Sequence, residues 1–227
     1  MSLPVMLFAA GFGTRMRPLT DRMPKPMIPV GGRPLVDYAV DLAQAIDPPA
    51  SVANLHYRPD ELRTHLTGRG VQTITETPEI LDTGGGLRNA LPLLGPGPVI
   101  TLNSDAIWSG PNPLNILLQA WDPAKMDALL LCIPRSNARG SASNGDFTSD
   151  EDGLLTRGPG DIYSGAQIIN PDLLATVSGT AFSLNRVWDD IQVRKRLYGV
   201  RYNGTWCDVG HPDGIPIAED LLDQANV

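Results

Sequence analysis

The chain has 227 residues and a net charge of −7, with 42% apolar and 19% charged residues. This composition excludes global disorder and supplies enough apolar side chains for one large domain or two small ones. The acidic balance argues against non-specific nucleic-acid binding, which requires a basic surface. Any site for a polyphosphate must therefore be a local basic pocket.

The first half of the chain alternates apolar strands with amphipathic helices. Strands are predicted at 3–10, 51–55, 71–75 and 98–102, and helices at 34–46, 60–66 and 83–94. This alternation predicts an α/β fold with a mainly parallel, Rossmann-like central sheet and helices on both faces. In such sheets ligands bind beyond the carboxyl ends of the strands. The loop 11–25, the turn 82–86 and Asp105 should therefore lie close together.

The second half is more mixed. Helices are predicted at 112–121, 183–194 and 215–224, and strands at 128–133 and 161–170. Residues 136–160 are rich in small polar residues and should form a hairpin or a mobile loop. Residues 197–202 and 205–209 are predicted to form a hairpin around Asn203-Gly204, a strong two-residue turn signal. No linker separates two domains, so a single domain over 1–227 is expected.

The loop after the first strand has the features of a phosphate-binding loop. Gly11 and Gly13 would let backbone N–H groups approach phosphate oxygens closely, although glycines alone are also typical of a plain tight turn. Arg15 and Lys25 favour the phosphate-binding interpretation. Lys25 lies between two prolines, which stiffen its backbone and would fix the direction of its charged side chain. The spacing matches neither a P-loop nor a dinucleotide fingerprint.

Two aspartates are candidate metal ligands. Asp105 directly follows a buried strand, and Asp208 lies among small and apolar residues, where an unpaired charge would be costly. Magnesium favours one or two carboxylates together with substrate phosphates. A turn or helix-capping role is the alternative for Asp105.

Three further segments contain glycines or carboxylates that suggest ligand contact. Glu76 ends a strand, and Gly84 belongs to three successive glycines that weaken a helix start, which suggests close approach of a flat ligand. Ser164-Gly165 interrupts a bulky strand, where glycine marks either close contact or a bulge. His56 and Trp188 are expected to be structural.

Cys132 and Cys207 are the only cysteines, which fits reduced thiols better than a disulfide framework. The apolar run at 3–10 is too short for a signal peptide, and no run approaches the roughly 18 residues of a membrane span. We therefore expect a cytoplasmic protein without a membrane partner.

The stretch LFAAGFGTRMRPLT at 7–20, followed by PKPM at 24–27, resembles the signature of sugar-1-phosphate nucleotidyltransferases. The resemblance extends over nearly the whole chain. It includes NLHY at 54–57, LDTGGG at 81–86, NSD at 103–105, Ser164-Gly165 and WCDVG at 206–210. The chain looks closest to the N-acetylmuramate 1-phosphate uridylyltransferases and their NDP-sugar pyrophosphorylase relatives.

The resemblance implies a role for each matching residue, with a nucleotide-binding half at about 1–110 and an acceptor-binding half at about 111–227. The nucleotide-binding residues would be Ala10, Gly11, Gly13, Thr14, Arg15, Glu76 and Gly84. The sugar-binding residues would be Asn103, Ser164 and Gly165. The catalytic residues would be Arg15, Lys25 and Asp105, and the Mg²⁺ ligands Asp105 and Asp208.

The expected substrates are a nucleoside triphosphate and a sugar 1-phosphate, in a monomer or small homo-oligomer. UTP or TTP is favoured, because Glu76 could accept the N3–H that cytosine lacks. Three features depart from the family pattern, namely Ser104 in place of glycine, His211 in place of threonine, and no Glu-Lys-Pro within 150–165. Because of these departures, the resemblance does not identify which sugar phosphate is the acceptor.

Two other functions remain open. One is a cytidylyltransferase acting on phosphocholine or a similar phosphorylated alcohol. The other is a catalytically silent nucleotide-sugar-binding protein, although mere binding would not need Arg15, Lys25, Asp105 and Asp208 together. A nicotinamide-dependent dehydrogenase is disfavoured, because the dinucleotide fingerprint is absent.

Overall fold

The computed structural model describes residues 2–225. The α-helices are α1 (Leu35–Gln44), α2 (Pro59–Gly68), α3 (Asp82–Leu94), α4 (Pro113–Ala120), α5 (Leu184–Val193) and α6 (Gly214–Ala225). The strands are β1 (Val5–Phe8), β2 (Pro29–Val30), β3 (Arg33–Pro34), β4 (Ser51–Leu55), β5 (Gln72–Thr75), β6 (Val99–Asn103), β7 (Ala106–Ser109), β8 (Ala128–Ile133), β9 (Ala138–Arg139), β10 (Phe147–Ser149), β11 (Leu155–Arg157), β12 (Ile162–Ile169), β13 (Leu197–Arg201) and β14 (Thr205–Asp208).

The central sheet has seven strands in the order β13-β8-β12-β6-β1-β4-β5. Strand β12 runs antiparallel to both of its neighbours, and the other pairings are parallel. The prediction of an α/β fold with a mainly parallel sheet is confirmed. Both halves of the chain contribute strands to this sheet, while the assignment of a single domain stays a prediction.

Alternating side chains of each strand enter opposite cores, because successive residues of a strand point to opposite faces. Val5 and Leu7 of β1 pack in the core that contains α1, α2 and α4. Met6 packs on the other face, in the core that contains α3 and α5. The predicted covering of both faces by helices is therefore also confirmed.

The hairpin predicted around Asn203-Gly204 is wrong. Strand β13 pairs in parallel with β8 at the edge of the central sheet, whereas β14 belongs to a small sheet of order β7-β14-β9. Neither Asn203 nor Gly204 has the positive φ that the tight turn requires. Instead, Tyr202 is fully buried and donates its hydroxyl to the carbonyls of Ser109 and Pro111, which directs the chain from one sheet to the other.

The segment 136–160 does form a hairpin, because β10 and β11 pair antiparallel. Strands β2, β3, β7 and β9 were not predicted, and each has two to four residues. Among these, β7 matters most for function, because it follows Asp105 directly and pairs with β14. Within residues 2–225, no helix is long and apolar enough to cross a membrane.

Both cysteines are free and buried. Burial raises the pKa of Cys132 to about 12 and that of Cys207 to about 11, so the reactive thiolate is scarce at neutral pH.

We expect iodoacetamide at pH 8 to label neither thiol in the folded protein and both in denaturant, as measured by intact mass. Rapid native labelling of Cys207 would show that β14 does not stay packed.

Candidate active site

Strands β1 and β6 are parallel neighbours that end together, with Phe8 opposite Asn103. The Ser104 hydroxyl donates to the Phe8 carbonyl at 2.7 Å, and the backbone N–H of Ala9 donates to Asn54 Oδ1 at 2.9 Å. Ser104, one of the departures from the family pattern, therefore ties the two strand ends together. These bonds hold the start of the glycine loop against the end of β6.

The loop that follows consists of three short 3₁₀ turns, Thr14–Met16, Leu19–Asp21 and Lys25–Met27. Gly13 adopts a left-handed conformation with φ of 62°. A Cβ atom at Gly13 would lie 2.8 Å from Thr20 Cγ2 and 2.9 Å from Lys25 Cβ. Glycine is therefore required here by the backbone and by packing, and it lets the loop fold against Lys25.

Lys25 forms an ion pair with Asp105, with 2.7 Å between Nζ and Oδ2. The lysine side chain is 12% exposed, and its backbone begins a 3₁₀ turn directly after Pro24. This placement agrees with the interpretation of Lys25 as an aimed cation. The Lys25 ammonium group points toward the Asp105 carboxylate, which lies just after the end of β6.

Asp208 lies beside Asp105 because β7 and β14 pair antiparallel. Asp208 is opposite Ala106, and the N–H of Val209 donates to the Asp105 carbonyl at 2.9 Å. Burial raises the pKa of the Asp208 carboxyl, and the nearby charge of Asp105 raises it further. The positive charges of Lys25, Arg15 and His211 act in the opposite direction.

These two carboxylates fit a magnesium ion. Burial is the larger cause of the raised pKa of Asp208, and a divalent cation between Asp105 and Asp208 would offset the part that comes from the charge of Asp105. Within residues 2–225 no three His, Cys, Asp or Glu side chains form a cluster that could hold a metal ion. Magnesium does not require such a cluster, because it takes its remaining ligands from phosphates and water.

Two adjoining cavities open at this edge of the sheet. The first cavity has a volume of about 250 Å³. It is lined by Phe8, Ala9, Ala10, Gly11, Lys25, Pro26, Asn54, Ile80, Asp82, Thr83, Asn103, Ser104 and Asp105. The second cavity, of about 240 Å³, shares Phe8, Asp82, Thr83 and Asn103 with the first. The two cavities therefore adjoin along these residues, and together they are called the cleft below.

The structure brings many of the predicted residues together at the first cavity, namely Ala10, Gly11, Lys25, Asn103 and Asp105. No protein atom lies within 4 Å of a Cβ built on Gly11, so its lack of a side chain leaves space in the cavity. Thr14 and Arg15 are exposed on the adjoining turn rather than in the cavity wall.

Glu76 lies away from the cavity wall and is only 1% exposed. Its Oε1 accepts from Asn54 Nδ2 at 2.7 Å, and its Oε2 accepts from the N–H of Leu81 at 2.8 Å. Both oxygens are thus engaged within the protein. Glu76 thus holds Asn54 and the turn before α3, and a contact between Glu76 and a pyrimidine base stays a prediction.

Gly84 and its two neighbours are closely approached by other parts of the protein, and a contact of Gly84 with the nucleotide stays a prediction. A Cβ on Gly84 would clash with the ring of Phe182, and one on Gly85 with the carbonyl of Thr180. A Cβ on Gly86 would lie 2.6 Å from Glu76 Oε1. All three glycines are therefore required by contacts within the protein, which bring α3 close to the segment before α5.

Ser164 and Gly165 are buried behind the cleft, at an irregularity in the register between β12 and β8. Gly165 has φ of +85°, and a Cβ there would lie 2.7 Å from the side chain of Asn103. Of the three predicted sugar-binding residues, only Asn103 lines the cleft. The two features that the sequence suggested for Ser164-Gly165, a bulge or a close contact, are both present. The close contact is between Gly165 and the side chain of Asn103.

Several cleft residues carry no individual prediction, although the turn 82–86 is expected to lie beside the loop 11–25 and Asp105, as it does. Asp82 lines both cavities and has a left-handed backbone with φ of 59°, which is uncommon for an aspartate. The second cavity also contains residues from the hairpin, β12 and α5. These are Asp146, Phe147, Arg157, Tyr163, Ser183, Leu184, Asn185 and Trp188. Trp188, expected to be core, belongs to both the core and this wall.

Residues 5–144 match the MobA-like NTP transferase domain. The chain belongs to the MobA-like NTP transferase family. This MobA-like transferase is 35% identical to an N-acetylmuramate alpha-1-phosphate uridylyltransferase of Caulobacter vibrioides, over 97% of each chain. It is 28% identical to the protein of the same name from Neisseria meningitidis, over 92% of this chain and 93% of that one. The predicted resemblance is therefore confirmed.

Solved structures support the same fold for this MobA-like transferase. A putative glucose-1-phosphate thymidylyltransferase from Bacillus anthracis superposes with a TM-score of 0.82. The match covers 100% of this chain and 96% of that chain at 14% identity, so it shows the fold alone. The family and its named relatives confirm the prediction of a sugar-1-phosphate nucleotidyltransferase.

Glu76→Gln tests the buried role of this carboxylate. The amide nitrogen would face either the N–H of Leu81 or the Asn54 amide, so a buried donor loses its acceptor. We expect the free energy of unfolding to fall by about 2 kcal/mol, as measured by urea denaturation. Glu79→Gln, at an exposed position on the same segment, is the matched control and should change stability little. Equal stability of both variants would contradict the assignment.

Proposed function

We propose that this protein transfers a uridylyl group from UTP to N-acetylmuramate α-1-phosphate, which yields UDP-N-acetylmuramate and pyrophosphate. The observation that carries the proposal is the cluster of Lys25, Asp105 and Asp208, of which Lys25 and Asp105 line the first cavity. The named substrates come from relatives that match nearly the whole chain.

The reaction is an in-line displacement at phosphorus. An oxygen of the sugar phosphate forms a bond to the α-phosphorus, and the bond from that phosphorus to the bridging oxygen of the β-phosphate breaks. The electron pair leaves with pyrophosphate. No general base is needed, because a phosphate monoester with a second pKa of about 6 is mostly dianionic at neutral pH.

The protein's contribution is to bring two anions together and to neutralise their charge. Lys25 is held within the cavity wall and would contact the reacting phosphates. Arg15, exposed on the neighbouring turn, would bind the departing pyrophosphate. Asp105 and Asp208 would hold Mg²⁺, which when bound supplies charge neutralisation for the phosphate oxygens.

The preference for UTP rests on the relatives. The argument from Glu76 no longer supports it, because both oxygens of that carboxylate are engaged by Asn54 and Leu81. Free thiols and the use of a nucleoside triphosphate fit a cytoplasmic monomer or small homo-oligomer. UDP-N-acetylmuramate is a cell-wall sugar nucleotide, so the enzyme would act in cell-wall metabolism.

Lys25→Ala and Asp105→Ala test the catalytic cluster. Each variant removes one partner of the 2.7 Å ion pair, so the charge that positions the phosphates is lost. We expect pyrophosphate release to fall by at least about 1,000-fold, measured with UTP, N-acetylmuramate 1-phosphate and MgCl₂. Near-normal release by either variant would rule out the assigned cluster.

The control for these variants is Lys125→Ala, which removes an exposed lysine 3.8 Å from Asp122 and far along the chain from the cluster. It should retain full turnover. Circular dichroism of all three variants separates loss of catalysis from loss of folding.

Substrate choice is tested by pyrophosphate release from the four nucleoside triphosphates, each against a panel of sugar 1-phosphates and phosphocholine. UTP with N-acetylmuramate 1-phosphate should give the highest kcat/KM. Turnover that is highest with CTP and phosphocholine would replace the proposal by the cytidylyltransferase alternative. No release with any pair would favour a silent binding protein.

A further inference from the structure

The second cavity has an aromatic wall built from three different elements. Trp188 of α5 contacts the ring of Tyr163 of β12 edge to face, with 4.8 Å between centroids. It also contacts Phe147 of β10 at 6.1 Å. Such pairs suit the apolar face of a sugar ring, because aromatic faces offer a large, stiff contact area.

Hydrogen bonding holds this wall in place from behind. The indole N–H of Trp188 donates to Gln167 Oε1 at 2.9 Å, and both side chains are buried. Helix α5 begins at Ser183, whose side chain accepts from the N–H of Asn185. The wall is therefore fixed before any ligand arrives, which lowers the entropic cost of binding.

Arg157 places its guanidinium over the same wall. Its Cζ lies 5.2 Å from the centroid of Phe147 and 5.9 Å from that of Trp188. Its Nε donates to Asp189 Oδ1 at 2.7 Å, and its Nη2 donates to the side-chain and carbonyl oxygens of Asn185. These contacts orient the guanidinium, since a planar fork loses little freedom once two of its nitrogens are held.

One nitrogen of this guanidinium is left for a ligand. Within residues 2–225, no acceptor lies within hydrogen-bonding distance of Arg157 Nη1. The charge of the partner carboxylate is also weakened, because the side chain of Asp189 is 60% exposed and water screens it. Arg157 thus retains attraction for a second anion.

Arg157 is the one cationic side chain among the described residues that line the second cavity. Two carboxylates line it as well, but each accepts a backbone N–H. Asp146 Oδ2 accepts from Tyr163, and Asp82 Oδ1 accepts from Thr83. An anionic group of a ligand in this cavity would therefore be attracted to Arg157, while Asp82 and Asp146 would repel it.

We propose that Arg157 selects an acidic acceptor by binding the carboxylate that the sugar carries in addition to its phosphate. This inference rests on the proposed function, because N-acetylmuramate 1-phosphate differs from N-acetylglucosamine 1-phosphate by a lactyl ether that ends in a carboxylate. The two cavities adjoin along Phe8, Asp82, Thr83 and Asn103, so each end of the acceptor would occupy one of them. The phosphate end points toward Lys25, and the carboxylate end toward Arg157.

The test compares N-acetylmuramate 1-phosphate with its lactyl methyl ester, which keeps the shape but removes the charge. With the unmodified protein and UTP, kcat/KM for the ester should be about 10- to 100-fold lower than for the acid. In Arg157→Gln the acid should fall to the level of the ester, while the ester changes little. A ratio of acid to ester that stays unchanged in Arg157→Gln overturns the inference.

Arg186→Gln is the matched control, because this exposed arginine lies on the same helix as Trp188 but lines neither cavity. It should keep the unmodified ratio of acid to ester. An equal loss with acid and ester in Arg157→Gln would mean a merely structural role and would also overturn the inference. Failure of the unmodified protein to use the acid at all, by contrast, refutes the proposed function.

Discussion

The pairing of β7 with β14 is the constraint on which the active site depends. It brings Asp208 beside Asp105, although about a hundred residues separate them in the chain. Burial raises the pKa of the Asp208 carboxyl, and the nearby charge of Asp105 raises it further. Lys25 and Arg15 offset part of it, and a divalent cation would offset more. The Asp105 and Asp208 carboxylates therefore attract positive charge at the proposed meeting point of two anionic substrates.

The rest of the glycine-rich sequence serves to position this cluster. Gly13 allows the phosphate loop to close over Lys25, while Gly165 allows β12 to approach Asn103. Gly84, Gly85 and Gly86 let α3 approach Phe182, Thr180 and Glu76. Of the glycines discussed, only Gly11 has open space where its side chain would be. These glycines thus allow close approach, as the sequence suggested, but the group that approaches is mostly another part of the protein.

The two cavities of the cleft are lined by different parts of the chain. The end of β1 and the end of β6 provide the charged cavity, and the hairpin, β12 and α5 provide the aromatic one. Phosphate chemistry is common to all substrates of such enzymes, and it requires charges at one place. Discrimination between acceptors requires a different surface, and the aromatic wall with its oriented guanidinium is the one that we propose for it.

The sequence by itself determined the alternation of strands and helices, and it pointed to the loop 11–25 with Lys25, and to Asp105 and Asp208, as the proposed site, because periodicity and short-range motifs are local properties. Only the tertiary structure decided that β13 and β14 enter different sheets, since the local turn signal at Asn203-Gly204 is weaker than burial of Tyr202. It alone enclosed Glu76 and gathered Arg157, Phe147 and Trp188 around one cavity. Those outcomes depend on contacts between distant residues, for which no local pattern exists.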